Sequence, residues 1–231
     1  MNMGFLKYLL FFVIDCCIFC KFGMNLGIIG LAIIIFRILR DVGYLRNVTF
    51  AKGSIFEGIA FLKDYKCSFA YLEHAFKDAS NMIDRFNLKE KNKEFYVIAI
   101  YYDILTTKED EMKCSIGIYQ KNIGFEEKQK EELEQYCREN GYNKFELPTQ
   151  SSLYSSWEIS TIFNKISMFL GIRTFFASFK ANIKNADFIK SYKLKEEKCN
   201  TVIQIIEHNK NITFSVPKID ETKFHFYAKD K

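Results

Sequence analysis

With 231 residues, 48% hydrophobic and 26% charged, and only 2 Pro and 11 Gly, the chain falls outside the disordered, collagen-like and low-complexity classes. Its length suits one domain of ordinary size plus an appendage. The formal charge of +5 gathers at the N-terminal end, where Lys7, Lys21, Arg37 and Arg40 stand against Asp15; the +2 left over the body is too small a footprint for nucleic acid.

The first 40 residues are an apolar segment. From Tyr8 to Phe36 the only charges are Asp15 and Lys21. One helix over that stretch would be about 43 Å long, against a hydrocarbon core of about 30 Å. The expected transmembrane helix is therefore the shorter stretch 22–39, from Phe22 to Leu39, whose single charge, Arg37, lies near an end where it can snorkel to the headgroups. Residues 5–20 carry Asp15, which costs about 2.5–3.5 kcal/mol near the middle of a span. They read as interfacial or as the weaker arm of a hairpin. A cleaved signal peptide is the rival reading, but no small-x-small cleavage site follows Cys20. Arg37, Arg40, Arg46 and Lys52 make the C-terminal flank positive, which places the body in the cytosol.

The cysteines fit a reducing compartment. Cys67, Cys114, Cys137 and Cys199 are scattered without the paired spacing of a zinc site. Cys16, Cys17 and Cys20, within the apolar segment, are candidates for lipidation or simply buried thiols. The acceptor patterns Asn47-Val48-Thr49 and Asn211-Ile212-Thr213 are silent on the cytosolic side.

In the body, a strand rich in Val, Thr and Phe is expected over 45–55. A helix follows, with Phe69, Leu72, Phe76, Ala79, Ile83 and Phe86 recurring at steps of three and four and charges between them. Residues 94–103 form an apolar β-branched and aromatic run, and 112–120 alternate as its partner strand. The order to this point is βαββ. A charged helix over 125–140, closed by Gly141, leads to a short strand at 142–147 that stops at Pro148. Another strand at 151–157 precedes a long helix faced by Ile159, Ile162, Phe163, Ile166, Phe169, Leu170 and Phe176, and strands at 201–207 and 211–216 close the body. The expected fold class is therefore α+β, a duplicated βαββ over 45–217, with helices on one face and a concave sheet on the other. Residues 1–40 form the membrane segment and 218–231 a short polar tail with Phe224, Phe226 and Tyr227.

Catalytic signals are lacking. His74, His208 and His225 stand apart, and there is no strained nucleophile turn, phosphate loop, dinucleotide fingerprint or zinc-protease motif. No catalytic residue, metal ligand or cofactor is assigned, and the chain is read as non-enzymatic. The 24 Phe and 13 Tyr, several of them in expected strands, suit core packing or a pocket for a planar ligand.

Leu45-Arg46-Asn47-Val48-Thr49, Ile98-Ala99-Ile100-Tyr101-Tyr102-Asp103, Lys113-Cys114-Ser115-Ile116-Gly117 and Gly141-Tyr142 through Phe145-Glu146-Leu147-Pro148 occur in order behind the membrane segment. Together they resemble the testis-expressed protein 264 family over roughly residues 22–217. The resemblance implies a single-pass receptor for autophagy of the endoplasmic reticulum with a cytosolic gyrase-inhibitor-like domain, acting as an adaptor. The implied partners are the reticulum membrane and cytosolic proteins such as LC3-like proteins, with no direct nucleic-acid contact. It also points to Tyr101, Trp157 and Gln204 as ligand-binding candidates, Gln204 standing where such domains often carry a Glu that meets a cationic ligand. Two features depart from the family. The long acidic tail with its LC3-interacting motif has no counterpart in residues 218–231, and Tyr102-Asp103-Ile104-Leu105, which fits the aromatic-x-x-aliphatic pattern, ends an expected strand. The alternative reading is a small-molecule sensor or a hydrolase that uses the concave sheet.

Overall fold

A computed structural model describes residues 11–14, 24–55, 57–68, 71–86, 88, 95–105, 111–121, 127–147, 149–160, 163–194, 200–206 and 211–217. Phe22, the cysteines at 16, 17 and 20, the turn holding His208 and the tail after 217 lie outside the described residues. The elements are α1 (Met24–Val42), β1 (Ala51–Ile55), β2 (Gly58–Cys67), α2 (Leu72–Arg85), β3 (Phe95–Tyr102), β4 (Met112–Lys121), α3 (Glu127–Glu139), β5 (Asn143–Leu147), β6 (Gln150–Glu158), α4 (Asn164–Asn182), α5 (Ala186–Tyr192), β7 (Val202–Ile206) and β8 (Asn211–Pro217). They fall into two compact units, one of 1–48 with 157–175, the other of 49–156 with 176–231.

The second unit is α+β and is built on one eight-stranded antiparallel sheet of order β1-β6-β8-β7-β3-β4-β2-β5. Exchanging β1 with β5, β2 with β6, β3 with β7 and β4 with β8 maps this order onto its own reverse. The first half therefore runs ββαββ and the second the same with the short α5 added after its helix, each with its first short strand added to the edge of the other half. The expected order lacked β2. Instead of one strand over 45–55 there are two, separated by residues 56 and 57. The sequence conceals β2 because Lys63 breaks its apolar run. That side chain is half-buried, and its amine donates to the carbonyl of Asn140 at 3.1 Å.

The strand pattern divides the core. One sheet face carries Ala60, Leu62, Ile98, Ile100, Tyr102, Tyr119, Leu147 and Ile203 as one buried cluster. The opposite face carries Phe61, Phe95, Ala99, Tyr101, Cys114, Ile116, Ile118, Gln204 and Phe214, all buried. Both faces being covered explains why β3 reads as a continuous apolar run and not as an alternation. On α2, Leu72, Ala75, Phe76, Ala79, Met82 and Ile83 form the buried stripe, which packs on β3 and β4. Helix α3 ends as expected. Gly141 adopts φ +77°, a conformation that favours glycine, and the Tyr142 N–H returns to the Cys137 carbonyl at 2.8 Å. Beyond α4, the unanticipated α5 is capped by Asn185, whose side-chain oxygen accepts from the Asp187 N–H at 2.9 Å. It closes on the chain entering β1, where Phe188 meets Phe50 edge-on at 5.3 Å and the Tyr192 hydroxyl donates to the Phe50 carbonyl at 2.7 Å.

In the first unit, α1 coincides with most of the expected span. No helix among the described residues is long and apolar enough to cross a membrane. The last turns of α1 hold Arg37, Arg40 and Asp41, so its apolar part is shorter than the helix. Helix α4 also begins later than its apolar period, at Asn164 and not near Ile159. Ser160 occupies the lead-in instead: its side-chain oxygen accepts from the Phe163 N–H at 3.3 Å, and its own N–H donates to Ser167 Oγ at 3.0 Å.

Candidate functional site

Tyr101 and Gln204 come together on the helix-bearing sheet face. Gln204 lies opposite Ala99 across the β3–β7 junction, and Tyr101 is two residues farther along β3, on the same face. The Tyr101 hydroxyl donates to Gln204 Oε1 at 2.7 Å, and both side chains have no exposed surface. Phe176 of α4 stands edge-on to the Tyr101 ring at 5.2 Å. Burial, reinforced by the neighbouring Cys114 thiol, pushes the Tyr101 hydroxyl well above its ordinary range, so it remains a neutral donor. Gln204 Nε2 is buried without a hydrogen-bond partner. The pair therefore presents one unmet donor toward the interior, and nothing to solvent.

Trp157, the third sequence candidate, belongs to the other compact unit. Its ring is buried against Gly43 and Gly171, and the Arg46 guanidinium lies 5.4 Å from the ring centre. Gly43 has φ +89°, and a Cβ there would overlap the indole, so glycine is required for both conformation and space. Trp157 Nε1 is also buried without a partner.

The same unit holds two features that no motif announced. The first is a cleft of about 570 Å³ lined by Arg40, Asp41, Arg46 and Glu158, with Leu45, Ile159 and Ser160 alongside. Arg46 donates through one guanidinium nitrogen to the Glu158 carbonyl at 3.1 Å, and its other terminal nitrogen is 3.9 Å from the Glu158 carboxylate. Arg40 Nε is likewise 3.9 Å from the Asp41 carboxylate. The second feature is apolar surface. Among the described residues, every exposed large apolar side chain except Tyr71 lies in this unit, including Ile28, Ile29, Leu31, Ile33, Ile35 and Phe36 on α1 and Ile166 and Phe169 on α4. The apolar run of α1 was legible in the sequence; the cleft was not, since its residues come from segments more than 100 positions apart.

A polar chain on the other sheet face also escaped the sequence reading. Ser115 donates to the Asp64 carboxylate and shares its hydroxyl with Tyr102 at 3.0 Å. Of the aromatic-x-x-aliphatic pattern, Tyr102 is buried and Leu105 half-buried. His74 is exposed on α2. Among the described residues no group of His, Cys, Asp and Glu is arranged to hold a metal ion.

No family model matches the chain, and no curated protein matches it. Solved structures similar to it include an uncharacterized conserved protein from Listeria innocua, with 8% identity over 79% of this chain and 98% of that one and a TM-score of 0.45. A hydrolase from Listeria innocua has 7% identity over 78% and 97%, with a TM-score of 0.44. The C-terminal domain of EcmrR has 9% identity over 74% and 96%, with a TM-score of 0.40. Likenesses of this degree assign no activity to the chain.

Proposed function

We propose that the chain is a non-enzymatic, membrane-attached protein of the endoplasmic reticulum whose N-terminal apolar segment lies in lipid and whose body faces the cytosol. The body, a duplicated gyrase-inhibitor-like domain in this reading, binds a ligand or protein partner as an adaptor in reticulum autophagy or quality control. The organelle and the pathway rest on the sequence resemblance alone. The observation that carries the membrane part is the exposure of Ile28, Ile29, Leu31, Ile33, Ile35 and Phe36 along one helix. Each side chain is about half exposed, and full burial of such a side chain is worth about 1.5–3 kcal/mol, so moving all six into lipid gains roughly 5–9 kcal/mol. Arg37 and Arg40 follow at the end of the helix, where they reach anionic headgroups from the cytosolic side. The reading asks only that α1 lie in lipid, not that its described residues make a full crossing.

Alkaline extraction of membranes from cells expressing the full chain tests this reading. The protein should stay with the membrane pellet, and its recovery in the supernatant would overturn the attachment. Direct receptor action is a separate arm: lack of binding between the full chain and purified LC3-like proteins removes it while leaving the attachment standing.

The small-molecule sensor or hydrolase reading has one observation in its favour, the unpartnered Gln204 amide. An acceptor atom from a bound molecule would satisfy it. Since Tyr101 and Gln204 are sealed, such a ligand must first displace part of their cover.

A further inference from the structure

The charged cleft in the first unit has a composition suited to one kind of ligand. Its four charged side chains are two guanidiniums and two carboxylates, so the net charge is zero while both signs are present. A bare phosphate or an anionic headgroup would meet the guanidiniums but also the carboxylates of Asp41 and Glu158. A group carrying a phosphate and an ammonium on neighbouring atoms meets both signs favourably. At 3.9 Å the Arg40–Asp41 and Arg46–Glu158 carboxylate contacts are charge contacts longer than hydrogen bonds. The guanidiniums therefore keep donors to offer. The volume, about 570 Å³, falls within the roughly 300–1,000 Å³ typical of small-molecule sites.

The location of the cleft is the second argument. Arg40 follows Phe36, the last exposed apolar side chain of α1, by about 6 Å of helix. With α1 in lipid, the cleft stands at headgroup depth. Exposed Leu45 lines the cleft and exposed Tyr44 precedes it in the chain, an amphipathic ring of the kind that suits the membrane–water interface.

We propose that this cleft holds the headgroup of a zwitterionic phospholipid of the phosphocholine or phosphoethanolamine class, Arg40 and Arg46 taking the phosphate and Asp41 and Glu158 the ammonium. The site rests on the membrane reading above and gives it lipid selectivity.

The chain has one tryptophan, Trp157, and its ring touches Arg46, so its fluorescence reports on the cleft. The full chain, held in a maltoside detergent that carries no phosphate, is titrated with glycerophosphocholine, glycerophosphoethanolamine, glycerophosphoglycerol and inorganic phosphate. The first two should give a saturable change, at least tenfold tighter than the last two. Glu158→Gln should weaken the zwitterionic ligands and strengthen inorganic phosphate, a reversal that mere loss of structure does not produce. Arg40→Gln, at an exposed side chain, should abolish the response while far-UV circular dichroism stays unchanged.

No saturable change, equal binding of inorganic phosphate or glycerophosphoglycerol, or an unaltered titration in Arg40→Gln would each overturn the proposal. Alkaline extraction separates it from the reading beneath it. A protein that pellets with membranes but ignores the headgroups loses only the cleft; one that binds headgroups but is extracted loses only the attachment.

Discussion

A tyrosine hydroxyl and a glutamine amide with no access to water must satisfy one another, and Tyr101 and Gln204 do so incompletely. One hydrogen bond of 2.7 Å is made, while Gln204 Nε2 has no partner. A buried polar group without a partner costs about 1–3 kcal/mol, whereas replacing both members of a pair by apolar groups of similar shape is nearly neutral. Tyr101→Phe leaves both polar atoms of the amide unmet, so it should lower unfolding stability by about 1–3 kcal/mol. Gln204→Leu strands the Tyr101 hydroxyl and should cost a similar amount. The double variant should recover most of both losses and could exceed the parent, because it also removes the unmet Nε2. Urea unfolding of the four proteins measures this cycle, and strictly additive losses would show that the pair is not coupled. A result in which the double variant is stable but no longer responds to a ligand would recast the pair as a binding element.

Among the elements, the junction of α2 with α3 shows how burial can be read through pH. The Cys137 thiol of α3 sits 3.7 Å from the Met82 sulfur of α2. Burial, aided by the nearby Glu134 carboxylate, pushes its pKa from the ordinary value of 9.0 up to about 12. Between those values the unfolded chain releases a proton that the folded chain retains, so stability is full below pH 9 and falls as pH rises through the folded value, by up to about 1.4 kcal/mol per unit from this group. Tyr101 and Tyr142 are raised as well and add their own losses at higher pH, which leaves the interval just above pH 9 as the cleanest one. Urea midpoints measured across it should fall with pH in the parent and fall less steeply in Cys137→Ala; equal slopes would mean that the thiol is not held neutral. The helix itself was legible from its charged pattern and its Gly141 stop, since these are local signals. The same was true of the α2 stripe and the β3 run. What hid β2 and α5 was not local. The half-buried Lys63 finds the Asn140 carbonyl and the Tyr142 ring, both far away in sequence, and α5 is seven residues long with no buried side chain to give it a period. Of the candidate site, sequence placed Tyr101 and Gln204 on two separate strands but gave no sign that those strands pair or that the side chains seal each other, and it put Trp157 with them where the fold assigns it to the other unit.

For the molecule as a whole, the strand order links the two halves by exchange. β1 opens the first half in sequence but pairs with β6 of the second, while β5 opens the second half and pairs with β2 of the first. The centre of the sheet is closed by β3 against β7. All three of these pairings join residues on opposite sides of α3, so neither half can complete its hydrogen-bonding edges alone. A strand left at an edge exposes a row of unpaired donors and acceptors, and here each isolated half would expose two such rows together with apolar side chains of both sheet faces. Non-local pairing of this kind also makes the fold cooperative, because forming any one crossing pair brings the others within reach. Fragments covering 49–125 and 126–217 should therefore show no cooperative unfolding when studied separately. Mixed in equal amounts, they should recover strand ellipticity and a single urea transition, with a midpoint that rises with fragment concentration as expected for an association. A cooperative transition in either fragment alone would mean that a half holds its own core and that the exchanged strands β1 and β5 are accessory to it.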